Sequence, residues 1–268
     1  MSTSVAVPRV SSSVAGQVRT IARRSIARTL RQPAVIIPNM LFPLFMLAVL
    51  SKAGNQATKI PGFPTKSYIT FVLGATLVQG ATSAATLAGG LLAEDIEGGF
   101  MNRMLLTPAS KSVLIIAQLA GVLIVGFLQS IIFLLVGLAF GVTVKAGVGG
   151  ALVLLAIALL LVLLFGSIGL FTAAAAGSLA QVQALTGLFI ALMFLSSMLM
   201  PRNLIKHEWF KTIATYNPFS YLVEATRSLL VTGWDGQALA LGIGIATGGV
   251  ILALFGAVIV LQRTLERT

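Results

Sequence analysis

Three carboxylates, Glu94, Asp95 and Glu97, fall within four residues of a chain that has only seven acids in 268 residues. They open the stretch EDIEGGFMNRMLLTPASK, residues 94–111, between two long apolar runs. Carboxylates at this spacing can ligate a hard cation or meet the positive end of a helix. A cation site needs further ligands, and none stands nearby in the sequence. A solvated first helical turn accounts for the acids without a metal. Phe100, Met101, Met104 and Leu105 then follow at helical spacing, and Thr107-Pro108 stops the pattern, because proline disfavours a helical residue before it. The spacing predicts a short amphipathic helix lying parallel to a membrane. Its apolar face has two uses open to it: resting on lipid, or docking into a groove on a partner protein.

The rest of the chain offers little reactive chemistry. Cysteine is absent and His207 is the single histidine, so thiol catalysis and multi-histidine metal sites are excluded. A phosphate-binding loop needs Gly-Lys followed by Ser or Thr, and no Gly-Lys pair occurs. ATP chemistry, if the protein uses any, must therefore come from another chain. A membrane-embedded enzyme would need a carboxylate pair, histidine or cysteine within the membrane, and the apolar runs hold no charged residue at all. That absence also argues against a proton- or sodium-driven transporter, and for a substrate with substantial apolar surface.

The polar groups within the runs are Gln79, Thr82, Ser83, Thr86, Gln118, Gln129, Ser167 and Thr172. They are expected to hydrogen-bond between helices. Gln79 and Thr82 are also candidates for lining a pathway, as are Phe194 and Met198 in FIALMFLSSMLMP, since Met and Phe surfaces adapt to varied ligands. His207 and Glu208 read as a solvated loop. Glu224 and Arg227, at i,i+3 on a short helix, are expected to pair with each other.

These residues must be positioned by membrane helices. Hydrophobic residues make up 57% of the chain and charged residues 9%, against about 25% charged in a soluble domain. Six apolar runs are long enough to propose crossings, at about 34–50, 67–93, 113–140, 148–176, 184–200 and 237–261. The expected fold class is an all-α polytopic membrane protein whose six-helix domain spans 34–262. Residues 1–13 read as a disordered tail. Residues 14–32 read as an interfacial amphipathic helix with Arg23, Arg24, Arg28 and Arg31 on the face toward lipid phosphate. Pro38 and Pro43 predict a kink in the first span. The run ATSAATLAGG in the second predicts close helix contact.

The formal net charge of +11 fits topology signals and anionic lipid better than nucleic acid. With six spans and a cytoplasmic N-terminus, the inner segments carry ten Lys and Arg and the outer ones eight. The orientation thus rests on the first 31 residues. It places both termini, residues 94–111 and the tail 263–268 in the cytoplasm, and residues 201–236 outside. Arg23-Arg24 before an apolar run, with Ser51-Lys52-Ala53 beyond it, also fits a twin-arginine signal. That reading leaves the amphipathic pattern of 14–32 unexplained and is the weaker one.

The stretch DIEGGFMNRMLLTPASKSVL resembles the loop after the second span in ABC-2 type permeases, most closely in the daunorubicin/doxorubicin-resistance-like branch. Asp95, Glu97, Gly99, Phe100, Arg103, Leu105 or Leu106, Thr107, Pro108 and Ser110 match that pattern, while Lys111 stands where Arg is usual. A second segment, YNPFSYLVEATRSLL, is similar to the family's outer hairpin at Asn217, Pro218, Tyr221, Glu224, Ala225 and Arg227. The resemblance implies the permease of an ATP-driven exporter: two permease subunits, identical or not, and two separate ATPases that bind the ATP and magnesium, in a bacterial plasma membrane. It implies that Glu94, Asp95, Glu97, Gly99, Phe100, Met101, Arg103, Met104, Leu105, Thr107 and Pro108 form a coupling helix. Asn217, Pro218, Tyr221, Glu224 and Arg227 would belong to an extracellular re-entrant hairpin that gates release. A hydrophobic drug or lipid is the implied substrate. Export of a polysaccharide or glycolipid, and a non-transporting scaffold, are the alternatives.

Overall fold

The computed structural model of the protein describes residues 23, 25–98 and 111–265, with the side chains of residues 111–117 and 261–265 outside that description. Among the described residues the structure is all-helical, with no strand. The helices are α1 (Pro33–Ala53), α2 (Tyr68–Glu97), α3 (Lys111–Ala139), α4 (Gly147–Ala176), α5 (Leu179–Phe194), α6 (Glu208–Tyr216), α7 (Pro218–Val231) and α8 (Gly236–Leu265). Two 3-10 turns, Gly54–Lys59 and Arg202–Leu204, lie in the connections. Residues 25–30 are also helical, ahead of α1.

Among the described residues, five helices are long and apolar enough to cross a membrane: α1, continued by its 3-10 turn, then α2, α3, α4 and α8. They carry the expected first, second, third, fourth and sixth runs. The fifth departs from expectation. The chain enters α5 at Leu179, five residues before the expected start, and leaves it at Phe194. Gly177, at φ 63°, ends α4 in the left-handed conformation, so only Ser178 remains before α5 begins. With 16 residues, α5 is roughly 24 Å long at about 1.5 Å per residue, short of the ~30 Å hydrocarbon layer. Residues 195–200 continue as turn and bend. In the first span, Pro38 and Pro43 both lie inside α1, which continues through them as one helix.

The centre of the bundle is α2. Of its apolar window 94% is buried, against 11% for α1 and 22% for α8. It packs chiefly on α4, and also on α1, α3, α5 and α7. Yet it is the least hydropathic of the five spans. The two facts have one cause. A helix facing only other helices has no need of a greasy surface and gains from small residues that let backbones close in. The expectation for ATSAATLAGG is met at Gly89, where an added Cβ would lie 2.6 Å from the Gly169 carbonyl oxygen. At Gly169 it would collide with the Ala85 carbonyl oxygen. Gly74 gives α7 the same access, with the Arg227 nitrogen 2.9 Å from a built Cβ.

A ring cluster fills the core where α4, α5 and α7 meet. Phe165 lies 5.1 Å from Phe189 and 5.5 Å from Phe219, centroid to centroid, joining α4, α5 and α7. Long apolar side chains on α1, α3 and α8, among them Phe45, Leu135, Leu252 and Phe255, point outward and are exposed. In water such surface would be costly, whereas for a membrane-spanning bundle it is the surface that meets lipid.

Gly169→Leu is expected to destabilise the protein by at least about 1–3 kcal/mol, the usual range for overpacking, since backbone rather than a movable side chain meets the new atoms. Gly244→Leu, where nothing lies within 4 Å of a built Cβ, is the control. Thermal unfolding in detergent checks this, with the Gly169 variant losing several degrees relative to the control.

Candidate coupling junction

Glu94, Asp95 and Glu97 do not open a helix. They occupy the last turn of α2, which runs on to Glu97 and is capped by Gly98, whose N–H donates to the Glu94 and Ile96 carbonyls. The expected end of the second span at residue 93 was four residues short. The acids thus sit at the negative end of a helix dipole, where charge of their sign is disfavoured. Tertiary partners offset this. The Arg28 guanidinium donates Nη1 to Asp95 Oδ1 at 2.6 Å and Nη2 to Glu94 Oε2 at 2.8 Å. Gln118 Nε2, from α3, donates to Asp95 Oδ2 at 3.0 Å, and Ser25 Oγ donates to the Gln118 carbonyl at 3.0 Å. Glu97 Oε1 accepts the backbone N–H of Leu179 at 3.2 Å, the first residue of α5. That placement is favourable, because a carboxylate there faces the positive end of α5.

Four parts of the chain therefore meet at this end of α2: the helical residues 25–30, α2 itself, α3 and α5. The Asp95 side chain is 12% exposed and that of Glu94 46%, so the Arg28–Asp95 pair is the better shielded and the stronger of the two. Arg28, expected to face lipid phosphate, is instead committed to these acids. Ser25 and Thr29, on the same helical stretch, are buried, and a Cβ on Gly121 of α3 would press on the Ser25 carbonyl at 2.8 Å. The N-terminal stretch is thereby packed against the bundle as well as paired to it. Gln118 Oε1 is buried and has no hydrogen-bond partner among the described residues.

The other expected coupling residues, Gly99, Phe100, Met101, Arg103, Met104, Leu105, Thr107 and Pro108, lie outside the described residues, as does most of the amphipathic segment 14–32.

At the opposite end of α2 the expected hairpin is a pair of helices, α6 and α7. Asn217 lies between them. Its Oδ1 accepts the Phe219 N–H at 2.9 Å, capping α7 with Pro218 at the first helical position. Its Nδ2 donates to the Leu192 carbonyl at 2.6 Å, in the final turn of α5. Tyr221 Oη donates to the Thr215 carbonyl at 2.8 Å, bracing α6.

The expected Glu224–Arg227 pair is not formed. Glu224 takes both Nε and Nη2 of Arg202, which also lies over the Tyr221 ring at 4.4 Å. Its hydrogen bonds to Glu224 hold the Arg202 guanidinium above its ordinary pKa, more than burial lowers it. Arg227 turns the other way, into the core. It donates Nε to the Phe71 carbonyl at 3.0 Å and Nη2 to the Met198 carbonyl at 2.9 Å, and its guanidinium lies 3.6 Å from the Phe71 ring centroid. Spacing along one helix favoured the local pair, but Arg202, 22 residues away in sequence, offered Glu224 a two-point contact.

Of the pathway candidates, Gln79, Thr82 and Met198 are buried within the single chain and only Phe194 is exposed. Thr86 and Thr186 share a hydrogen bond of 2.6 Å between α2 and α5, and Gln129 reaches the Asn39 carbonyl of α1 at 3.4 Å. Ser167 and Thr172 bond only the carbonyls one turn back on α4. Among the described residues no group of three or more His, Cys, Asp or Glu is placed to hold a metal. Sequence reasoning missed Arg28 as the partner of the acids. The signal was available, since so few acids and the arginine-rich segment were assigned to the same side of the membrane.

A sequence profile of the ABC-2 type transporter family matches residues 16–231, a stretch that includes Arg28, the three acids, Gln118 and the whole of α7. Comparison with curated proteins found no match. With its apolar helices, the chain is a multi-pass membrane protein. The family's domain implies partnership with an ABC ATPase and is typically the non-catalytic transmembrane component. The chain belongs to the ABC-2 type transporter family.

Proposed function

We propose that this chain is the permease subunit of an ATP-driven exporter of the daunorubicin-resistance-like branch, moving a hydrophobic or amphipathic substrate such as a drug or lipid. Two copies, each with a cytoplasmic ATPase that binds ATP and magnesium, form the working unit in the plasma membrane. Both termini and residues 94–110 face the cytoplasm. In this reading α5, continued by residues 195–200, supplies the sixth crossing. Its shortness is tolerable because the turn's backbone is bonded by α7 rather than left to lipid.

The observation that carries the proposal is the junction at the end of α2. A surface segment that must pass motion into a membrane bundle needs a stiff root with several attachments. Residues 94–97 have that form, with Arg28 on one side, Gln118 on a second and the α5 N-terminus on a third. In the proposed cycle, closure of the ATPases displaces residues 99–110. The junction carries that displacement at once to α1 through Arg28, to α3 through Gln118 and to α5 through Glu97. Rigid-body tilting of the bundle about its partner copy then opens an outward path. The buried Gln79 and Thr82 become part of that path only when the two copies separate.

Two sets of variants test this in proteoliposomes that contain the permease and its ATPase. Arg28→Gln and Asp95→Asn are expected to lower substrate moved per ATP hydrolysed about tenfold, the scale of a typical coupling energy. The double reversal Arg28→Asp with Asp95→Arg is expected to restore part of the loss. Gly99→Trp and Arg103→Glu are expected to abolish export and to weaken copurification of the ATPase. Full export and full ATPase retention in either of the latter would disprove docking at 94–110.

A further inference from the structure

The end of the bundle away from the junction holds a charged cavity that the proposed coupling path does not use. It has a volume of about 410 Å³ and lies between the Arg202–Leu204 turn, α7 and the start of α8, with Pro64 and Phe71 also in its lining. A second cavity of about 210 Å³ shares Arg202, Glu224, Asp235 and Ala238 with it. Four charged side chains line the larger space: Arg202, Glu224, Arg227 and Asp235.

Their charges cancel in number but not in contact. Arg202 and Glu224 bond each other directly, and Glu224 acts on Arg227 only through space, favouring its charge without a contact. Arg227 is 6% exposed and has no carboxylate within ion-pair distance among the described residues. Its Nε and Nη2 are bonded to carbonyls, and its Nη1 has no hydrogen-bond partner among the described residues. A guanidinium so buried is stabilised by an anion that shares its desolvated surroundings. Asp235 is exposed and uses only Oδ1, which accepts the Gln237 and Ala238 N–H groups at the start of α8. Its Oδ2 has no such partner among the described residues. Ser228 and Thr232, also in the lining, donate their hydroxyl protons to helix carbonyls, which leaves their lone pairs free to accept. One wall therefore offers an unused cationic edge, and the rest offers acceptors with one unused carboxylate oxygen.

We propose that this cavity binds a zwitterionic phosphate–ammonium group, with the phosphate on Nη1 of Arg227 and the ammonium on Asp235. Phosphate suits the guanidinium edge and an ammonium suits the ring of acceptors. A phosphatidylethanolamine headgroup and a soluble phosphoethanolamine ester both carry this chemistry. The site does not depend on the transport reading, and a binding measurement on the purified full chain tests it alone.

Trp234, exposed beside Asp235, is the reporter in a Trp209→Phe background. Dihexanoyl-phosphatidylethanolamine, glycerophosphoethanolamine and inorganic phosphate are titrated in turn against the protein in maltoside micelles. Saturable binding of either zwitterion, at least about tenfold tighter than phosphate, is expected, one added charge-assisted contact being of that order. Binding of both points to the headgroup chemistry alone, and binding of the lipid only points to a membrane source. Asp235→Asn keeps the α8 cap and is expected to bring the zwitterion's affinity down to that of phosphate. Arg227→Gln is expected to abolish binding of all three probes. Should that variant not fold, Asp235→Asn still decides the matter. The proposal is overturned if neither zwitterion saturates, if phosphate binds as tightly as they do, or if Asp235→Asn leaves their affinity unchanged.

Discussion

The near-contact of the α2 and α4 backbones sets the rest of the architecture. Lipid gives helices no hydrophobic incentive to associate, so dispersion and backbone proximity must hold a bundle together. Gly89 faces the carbonyl of Gly169, and Gly169 faces that of Ala85, with no room for a side chain between them. Once α2 is seated there, every neighbour can reach it. The spans α1, α3 and α8 then turn long apolar side chains outward, while α2 carries the threonines, the serine and the glutamine that are better paired inside the protein than left facing lipid. The least apolar span is the most buried for this reason.

A second constraint follows from the first. Backbone groups at membrane depth must find partners within the protein. The fifth helix ends at Phe194, and the chain turns through residues 195–200 before leaving the bundle. The polar groups freed there are met one by one. Asn217 takes the Leu192 carbonyl, Ser220 Oγ accepts the Ser197 N–H at 3.0 Å, Arg227 takes the Met198 carbonyl, and Tyr68 Oη donates to that of Leu199 at 2.9 Å. The helix pair α6–α7 is thus the element that lets α5 stop where it does. The residues that resemble a family motif, Asn217 and Arg227 among them, have this structural task whatever else they do.

The two ends of α2 use charge differently. At the acidic end, carboxylates placed against the helix dipole are held by Arg28 and Gln118, and such an arrangement stands only while those partners stay. That conditional quality suits a place where motion is passed on. At the other end, a buried arginine is fixed by carbonyls and an aromatic face, while its neighbouring carboxylate bonds elsewhere. The first arrangement ties several elements to one surface segment, and the second leaves a charged edge for something not part of the chain.

The all-helical membrane character was legible in the sequence, because apolar runs of about 20 residues with no charge have one stable form in a bilayer. Five of the six runs became helices at nearly the expected positions, and the small-residue stretch at 81–90 marked the close crossing. What the sequence left open were partners distant along the chain. The acids at 94–97 looked like the start of the next helix because acids favour that position locally. Their tie to Arg28 spans more than sixty residues and overrides the preference. Glu224 and Arg227 looked like a pair because they are one turn apart, yet a two-point contact with Arg202 won. The end of α5 could not be read from hydropathy, since FIALMFLSSMLMP is apolar on both sides of the break. Local composition determined which segments are helices and that they live in lipid. Tertiary structure alone decided where they end and whom their few charges meet, because in a medium without water each polar group is governed by the partner that reaches it.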